Sequence, residues 1–163
     1  MKKRVLSVLC AIVMMMGVAT VPTVESHAAE GDRRVDGSYL TQQEEAKGSY
    51  ISKTRGLYLM EGDCSISKAG RKRIYVTGST TAHTVVPRIG VTMYVQEYNA
   101  ADDAWYQIDY WDTTDTNQYY ISTSKSISVT GGTYYRVYAQ HQAAPEDDYG
   151  DVGFSATDGI WID

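Results

Sequence analysis

From Gly56 onward hydrophobic side chains recur at period two, and no stretch after Lys47 carries a 3.6-residue repeat. Ile89, Val91, Met93 and Val95 form the longest such run. Leu57/Leu59, Cys64/Ile66, Ile74/Val76 and Ile127/Val129 repeat it on a smaller scale. Successive side chains of a strand point to opposite faces, so this alternation describes sheet with one face in a core and the other in water. Turn signals punctuate it: Lys68-Ala69-Gly70, the polar stretch Asn99–Asp103, Asp112–Asn117, Gly131-Gly132 and the acidic Pro145–Asp151. Gly-Gly between alternating runs is a hairpin signal. Seven or eight short strands at this spacing predict an all-β fold, an antiparallel β-sandwich of immunoglobulin or fibronectin type. Residues 56–163 are the expected domain.

The N-terminal 28 residues read as a secretory signal peptide. Lys2, Lys3 and Arg4 precede an apolar run from Val5 to Val21, and Ser26-His27-Ala28 offers small residues before a cut. The run is about 17 residues, the short limit for a membrane span, so export with release is expected. Residues 29–55 are polar and charged without apolar periodicity and are expected to form a tether.

Losing Lys2, Lys3, Arg4 and Glu25 leaves 12 Lys+Arg against 19 Asp+Glu, a net charge of −7. Nucleic acid and anionic membrane repel such a chain, and neither is an expected partner. Once Cys10 leaves with the signal, Cys64 is the only cysteine, so no internal disulfide forms and stability must come from the core. Cys64 shares parity with Ile66 and is expected to be buried.

Chemistry-bearing motifs are sparse. The mature chain has two histidines, His83 and His141, too few and too scattered beside Cys64 for zinc. His141 follows the inward parity of Tyr135 and Val137 at the end of a strand and is expected to be an edge histidine hydrogen-bonded to backbone rather than a general base. No Gly-x-Ser-x-Gly turn marks a nucleophile, and no carboxylate pair stands out for glycoside hydrolysis. The acidic stretches Asp112–Asn117 and Glu146–Asp151 offer oxygen ligands, but without EF-hand spacing, and solvated turns account for both. The expectation is a non-enzyme without metal or cofactor.

Tyrosine is the anomaly: 14 Tyr and three Trp against a single Phe. A phenol joins an apolar body to a polar tip and suits a face with one wet edge. If Val91, Met93 and Val95 point inward, Tyr94 points out. If Tyr135 and Val137 point inward, Tyr134, Arg136 and Tyr138 point out. With the 88–98 and 133–141 strands as neighbours, Tyr94, Tyr134 and Tyr138 form one outward patch, joined by Trp105 or Trp111. Ordinary cross-strand aromatic pairing is one reading of such a patch. The other is a ligand-binding face of Tyr94, Tyr134, Arg136, Tyr138, Trp105 and Trp111 for a glycan or a cell-surface protein. In a second functional reading the chain is a secreted inhibitor or toxin-like effector recognising a protein through its loops.

The stretch Gly132-Thr133-Tyr134-Tyr135-Arg136-Val137, running on to His141, resembles small exported proteins of unknown function from Gram-positive anaerobes. Gly78-Ser79-Thr80-Thr81-Ala82 and a tryptophan after a polar hairpin, Trp105, fit the same pattern. The resemblance spans about residues 56–145. It implies a secreted β-sandwich, supplies no catalytic residues, and agrees with the lone mature cysteine.

Overall fold

The computed structural model describes residues 36–51 and 56–163. Ten strands and no helix make up this region: β1 (Leu40–Thr41), β2 (Glu45–Ile51), β3 (Leu59–Lys68), β4 (Arg73–Val86), β5 (Arg88–Asn99), β6 (Ala104–Asp115), β7 (Gln118–Ser128), β8 (Thr133–Ala144), β9 (Asp151–Ala156) and β10 (Gly159–Ile162). One sheet runs β1-β10-β8-β5-β6 with β9 also on β8, and the other runs β2-β3-β4-β7. Every pairing is antiparallel except the two-residue β1–β10 pairing. In immunoglobulin lettering, β3, β4 and β7 take the A, B and E places, and β6, β5 and β8 take C′, C and F. The chain is an all-β sandwich, as its alternation predicts.

The core lies between the sheets. Ile66, Ile74 and Val76 from one sheet meet Val91, Met93, Val95 and Val137 from the other, all essentially without solvent contact. Burying a side chain of this size contributes about 1.5–3 kcal/mol. Cys64 is buried with them, and desolvation pushes its thiol up to about 12, so it behaves as a small apolar residue.

The β7–β8 corner is held by Tyr135. Its hydroxyl receives the Gly131 amide at 3.3 Å, donates to Glu97 Oε1 at 3.2 Å and lies 2.8 Å from Thr130 Oγ1. A tyrosine at the start of the F strand bonding backbone a few residues upstream is the tyrosine corner of immunoglobulin-type sandwiches. Tyr135→Phe keeps the volume and removes those partners. A loss of about 1–3 kcal/mol is expected, as a lower urea midpoint with an unchanged m-value.

Two expectations are corrected. The tether expected over residues 29–55 is in part sheet, because β1 and β2 lie inside it; residues 29–35 and 52–55, like the signal peptide at 1–28, lie outside the described residues. β2 pairs with β3 from Glu45↔Ser67 to Ile51↔Glu61, and its inward positions are Ala46, Gly48 and Tyr50. Ala and Gly give no hydrophobic signal, so the alternation was invisible. Gly48 is there for space: a Cβ on it would stand 1.9 Å from the Ala156 carbonyl oxygen. The second correction is the loop expected at Asp112–Asn117. β6 continues to Asp115 because Ile89–Thr92 pair with Asp112–Asp115, and the connection shrinks to Thr116-Asn117, with Asn117 at φ 56°.

Candidate functional site

The register of β5 and β8 determines what their outer face presents. Tyr94 lies opposite Tyr138 on one side and Tyr110 of β6 on the other. Their rings form a row: Tyr110 stacks on Tyr94 with centroids 6.4 Å apart, Tyr94 meets Tyr138 at 6.1 Å, and Tyr138 stacks on Phe154 of β9 at 5.6 Å. Four strands thus contribute one ring each. The ends are open, Tyr110 at 62 % exposure and Phe154 at 49 %, while Tyr94 and Tyr138 are half-buried between them. Burial, then proximity to Tyr94, raises the Tyr138 phenol pKa above its ordinary value.

A second aromatic row crosses the opposite end of the same sheet. Trp105 packs on Tyr98 at 5.2 Å, Tyr98 on Tyr134 at 6.3 Å, and Tyr134 on Trp161 of β10 at 5.1 Å. This row is tied down by the N-terminal segment. Gln42 Nε2 donates to the Tyr134 hydroxyl at 2.9 Å. Arg136 lies under the Trp105 indole, 4.3 Å from the ring centre, donates from Nε to Gln96 at 2.7 Å, and donates from a guanidinium nitrogen to the Gly37 carbonyl. Desolvation by burial lowers the Arg136 pKa, partly offset by Asp36. Arg136 is therefore a clamp that fastens residues 36–42 over the sheet.

Of the six residues expected at the site, Tyr94, Tyr134, Arg136, Tyr138 and Trp105 come together on one face. Trp111 does not. It lies opposite Met93, packs against the core, and donates from Nε1 to Thr123 Oγ1 at 3.0 Å under the Lys125 ammonium. It closes the β6–β7 side of the sandwich, where Lys125 also pairs with Asp109 at 2.6 Å. The parity of β6 was hard to read because a bulge shifts its register between Val95 and Gln96. Tyr98, Tyr110, Phe154 and Trp161 were missed. Tyr98 was accessible from the parity of Tyr94, whereas the other three enter only through strand pairing.

The histidine expectation is corrected: His141 is a structural residue, but it lies in the core rather than at an edge and is held by side-chain hydroxyls. His141 has no solvent exposure. Its Nδ1 lies 2.9 Å from Thr80 Oγ1, and its Nε2 lies 2.8 Å from Ser155 Oγ. Thr80 Oγ1 donates its own proton to the Gly90 carbonyl at 3.0 Å. It must therefore accept from Nδ1–H, leaving Nε2 to accept from Ser155. Burial holds the imidazole neutral, with a pKa of about 4. A serine beside an imidazole is the start of a nucleophile dyad, but here a threonine hydroxyl takes the orienting carboxylate's place and both partners are shut between the sheets.

The acidic loops hold backbone. Asp151 Oδ2 accepts the Tyr58 and Leu59 amides at 2.6 and 3.0 Å, and Asp148 Oδ1 accepts the Tyr149 amide at 2.6 Å. Among the described residues, no group of three His, Cys, Asp or Glu side chains gathers as a metal site.

Residues 34–157 match the model of a family described as a family of unknown function (DUF6147). Neither the curated proteins nor the solved structures offer a match.

Proposed function

We propose that this chain, which belongs to that family of unknown function, is an exported, non-catalytic recognition module that engages a glycan or protein of a cell surface. The reading rests on one observation: Tyr110, Tyr94, Tyr138 and Phe154 align across four strands with the row's ends left in water. Cross-strand aromatic pairs stabilise a sheet by about 0.2–1 kcal/mol each, and that alone does not call for open ends. Tyrosine supplies stacking area and a hydrogen-bonding tip with little rotamer entropy to lose, the composition of recognition surfaces. The exported signal and the acidic, soluble mature chain fit a protein that works outside the cell.

The test is binding of the exported protein to bacterial cell walls and host-cell surfaces, beside a Tyr110→Ala/Phe154→Ala variant. The variant removes two cross-strand ring contacts, so a loss of at most about 2 kcal/mol is expected and the protein should remain folded at the assay temperature. Affinity is expected to fall at least tenfold, about 1.4 kcal/mol. Unchanged affinity would remove the aromatic row from recognition. It would favour the connections at 100–103, 116–117 and 145–150, as an inhibitor or effector would use them.

A further inference from the structure

The opposite sheet carries a surface of different chemistry. Its outer face is built from short hydroxyl side chains in register: Ser65 pairs with Thr77 and Thr77 with Ser124, and Asp63 pairs with Ser79 and Ser79 with Ser122. On β7 the outward positions read Ser122, Ser124, Ser126 and Ser128 in succession. Exposed strands commonly use long charged side chains to blunt an edge. Here the short ones leave a hollow of about 530 Å³, lined by the hydroxyls of Ser65, Thr77, Ser79, Ser122 and Ser124 together with Lys47 and Asp63. Tyr75 and Tyr120 flank it, 42 % and 48 % exposed. Tyr120 lies opposite Thr81, six residues beyond Tyr75, which sets the two phenols about 20 Å apart along the strands.

The chemistry selects the occupant. A hydroxyl donates and accepts, so a floor of hydroxyls can meet a ligand whose groups also do both. Ser65 and Thr77 show the pairing, their oxygens 2.7 Å apart. A protein partner needs an aromatic or aliphatic anchor buried at the centre of its interface, and the centre here is polar. A polyanion needs free cations, whereas Lys47, the one cationic side chain lining the hollow among the described residues, is paired with Glu45 at 2.9 Å, and Asp63 lines the same hollow. Burial and the neighbouring Glu61 raise the Asp63 pKa, a further argument against added negative charge. We propose that the outer face of β2-β3-β4-β7 is a second binding site, separate from the aromatic row, that takes a neutral oligosaccharide stacked at its ends on Tyr75 and Tyr120 and hydrogen-bonded between them by Ser65, Thr77, Ser122 and Ser124.

The experiment is a glycan array carrying neutral and acidic oligosaccharides, probed with the exported protein and three variants. At least one neutral oligosaccharide is expected to bind. That binding should persist in Tyr110→Ala/Phe154→Ala and fall at least tenfold in Tyr75→Ala/Tyr120→Ala. Thr77→Arg, which fills the hollow from an outward position, should abolish it while melting as the parent does. Failure to bind any neutral glycan, binding confined to acidic glycans, or neutral binding that Tyr75→Ala/Tyr120→Ala leaves intact would each overturn the proposal. Loss of cell-surface binding in the aromatic-row variant alone bears on the other face and leaves this result readable.

Discussion

Lowering the pH from 7 to 4 is expected to remove on the order of 3 kcal/mol of folding stability through His141 alone. The folded-state pKa of this imidazole is about 4, against 6.5 for the free group, and each unit of difference is worth about 1.4 kcal/mol. The sign follows from the depression. Above pH 6.5 both folded and unfolded chains hold the ring neutral and stability is intact. Below it the unfolded chain binds a proton that the folded one refuses, so stability falls with pH and levels off near pH 4. The structural cause is burial: the ring has no solvent exposure, and a charge on it would sit between the sheets without water around it. Asp63 works in the opposite direction, since its raised pKa favours the folded state as pH falls. Comparison with a single variant separates the two. His141→Gln retains a donor for Thr80 and an acceptor for Ser155 but does not titrate. Melting temperatures from pH 7.5 to 4 should drop more steeply for the parent than for His141→Gln. Parallel curves would show that His141 is not the titrating group.

The second large effect lies in the segment whose composition reads as a tether. Gly48→Ala places a methyl carbon 1.9 Å from the Ala156 carbonyl oxygen and 2.4 Å from its carbon. Both are backbone atoms of β9, which cannot rotate aside as a side chain can. Relief requires β2 to move outward and to give up pairing with β3 over Glu45–Ile51. Overpacking a core by one methyl group commonly costs 1–3 kcal/mol, and a backbone obstacle puts this site near the top of that range, about 3 kcal/mol. Ser49→Ala, one residue away on the outward face, is the control and should change stability by less than about 0.5 kcal/mol. Urea unfolding of the two variants decides the matter: equal midpoints would mean that β2 is not packed against β9.

Gly62, also on the inner side of this sheet, follows the same logic, because a Cβ there would lie 2.2 Å from the His141 ring. Both are inner-face positions whose side chains had to be absent so that the other sheet could come close. At Gly48 this removes the apolar signal from β2, whereas β3 keeps its own through Leu59, Cys64 and Ile66. The family match beginning at residue 34 agrees with a domain that starts well before Gly56.

Tyr94 and Tyr138 were legible as outward residues because each sits between buried neighbours, Met93 and Val95 in one strand, Val137 and Ala139 in the other. Parity within a strand is local and needs no knowledge of the partner. Trp111 was misplaced because a one-residue bulge reverses parity along β6, and nothing in Ala104–Asp115 marks it. Phe154 and Trp161 were out of reach for another reason. They occupy two short strands that share one edge of β8, with Thr157 bridging the break by hydrogen bonds to both backbone groups of Val137.

The amino-acid order by itself determined the all-β class, the inward and outward faces of the long strands, and the burial of Cys64, because each depends on alternation over a few neighbouring residues. Tertiary structure alone decided that four aromatic rings from four strands align, that Arg136 clamps the N-terminal segment, and that serines and threonines from β3, β4 and β7 meet in one hollow. These arrangements depend on register between strands distant in the chain. Register is set by the combined packing of both sheets, and no single stretch of sequence carries it.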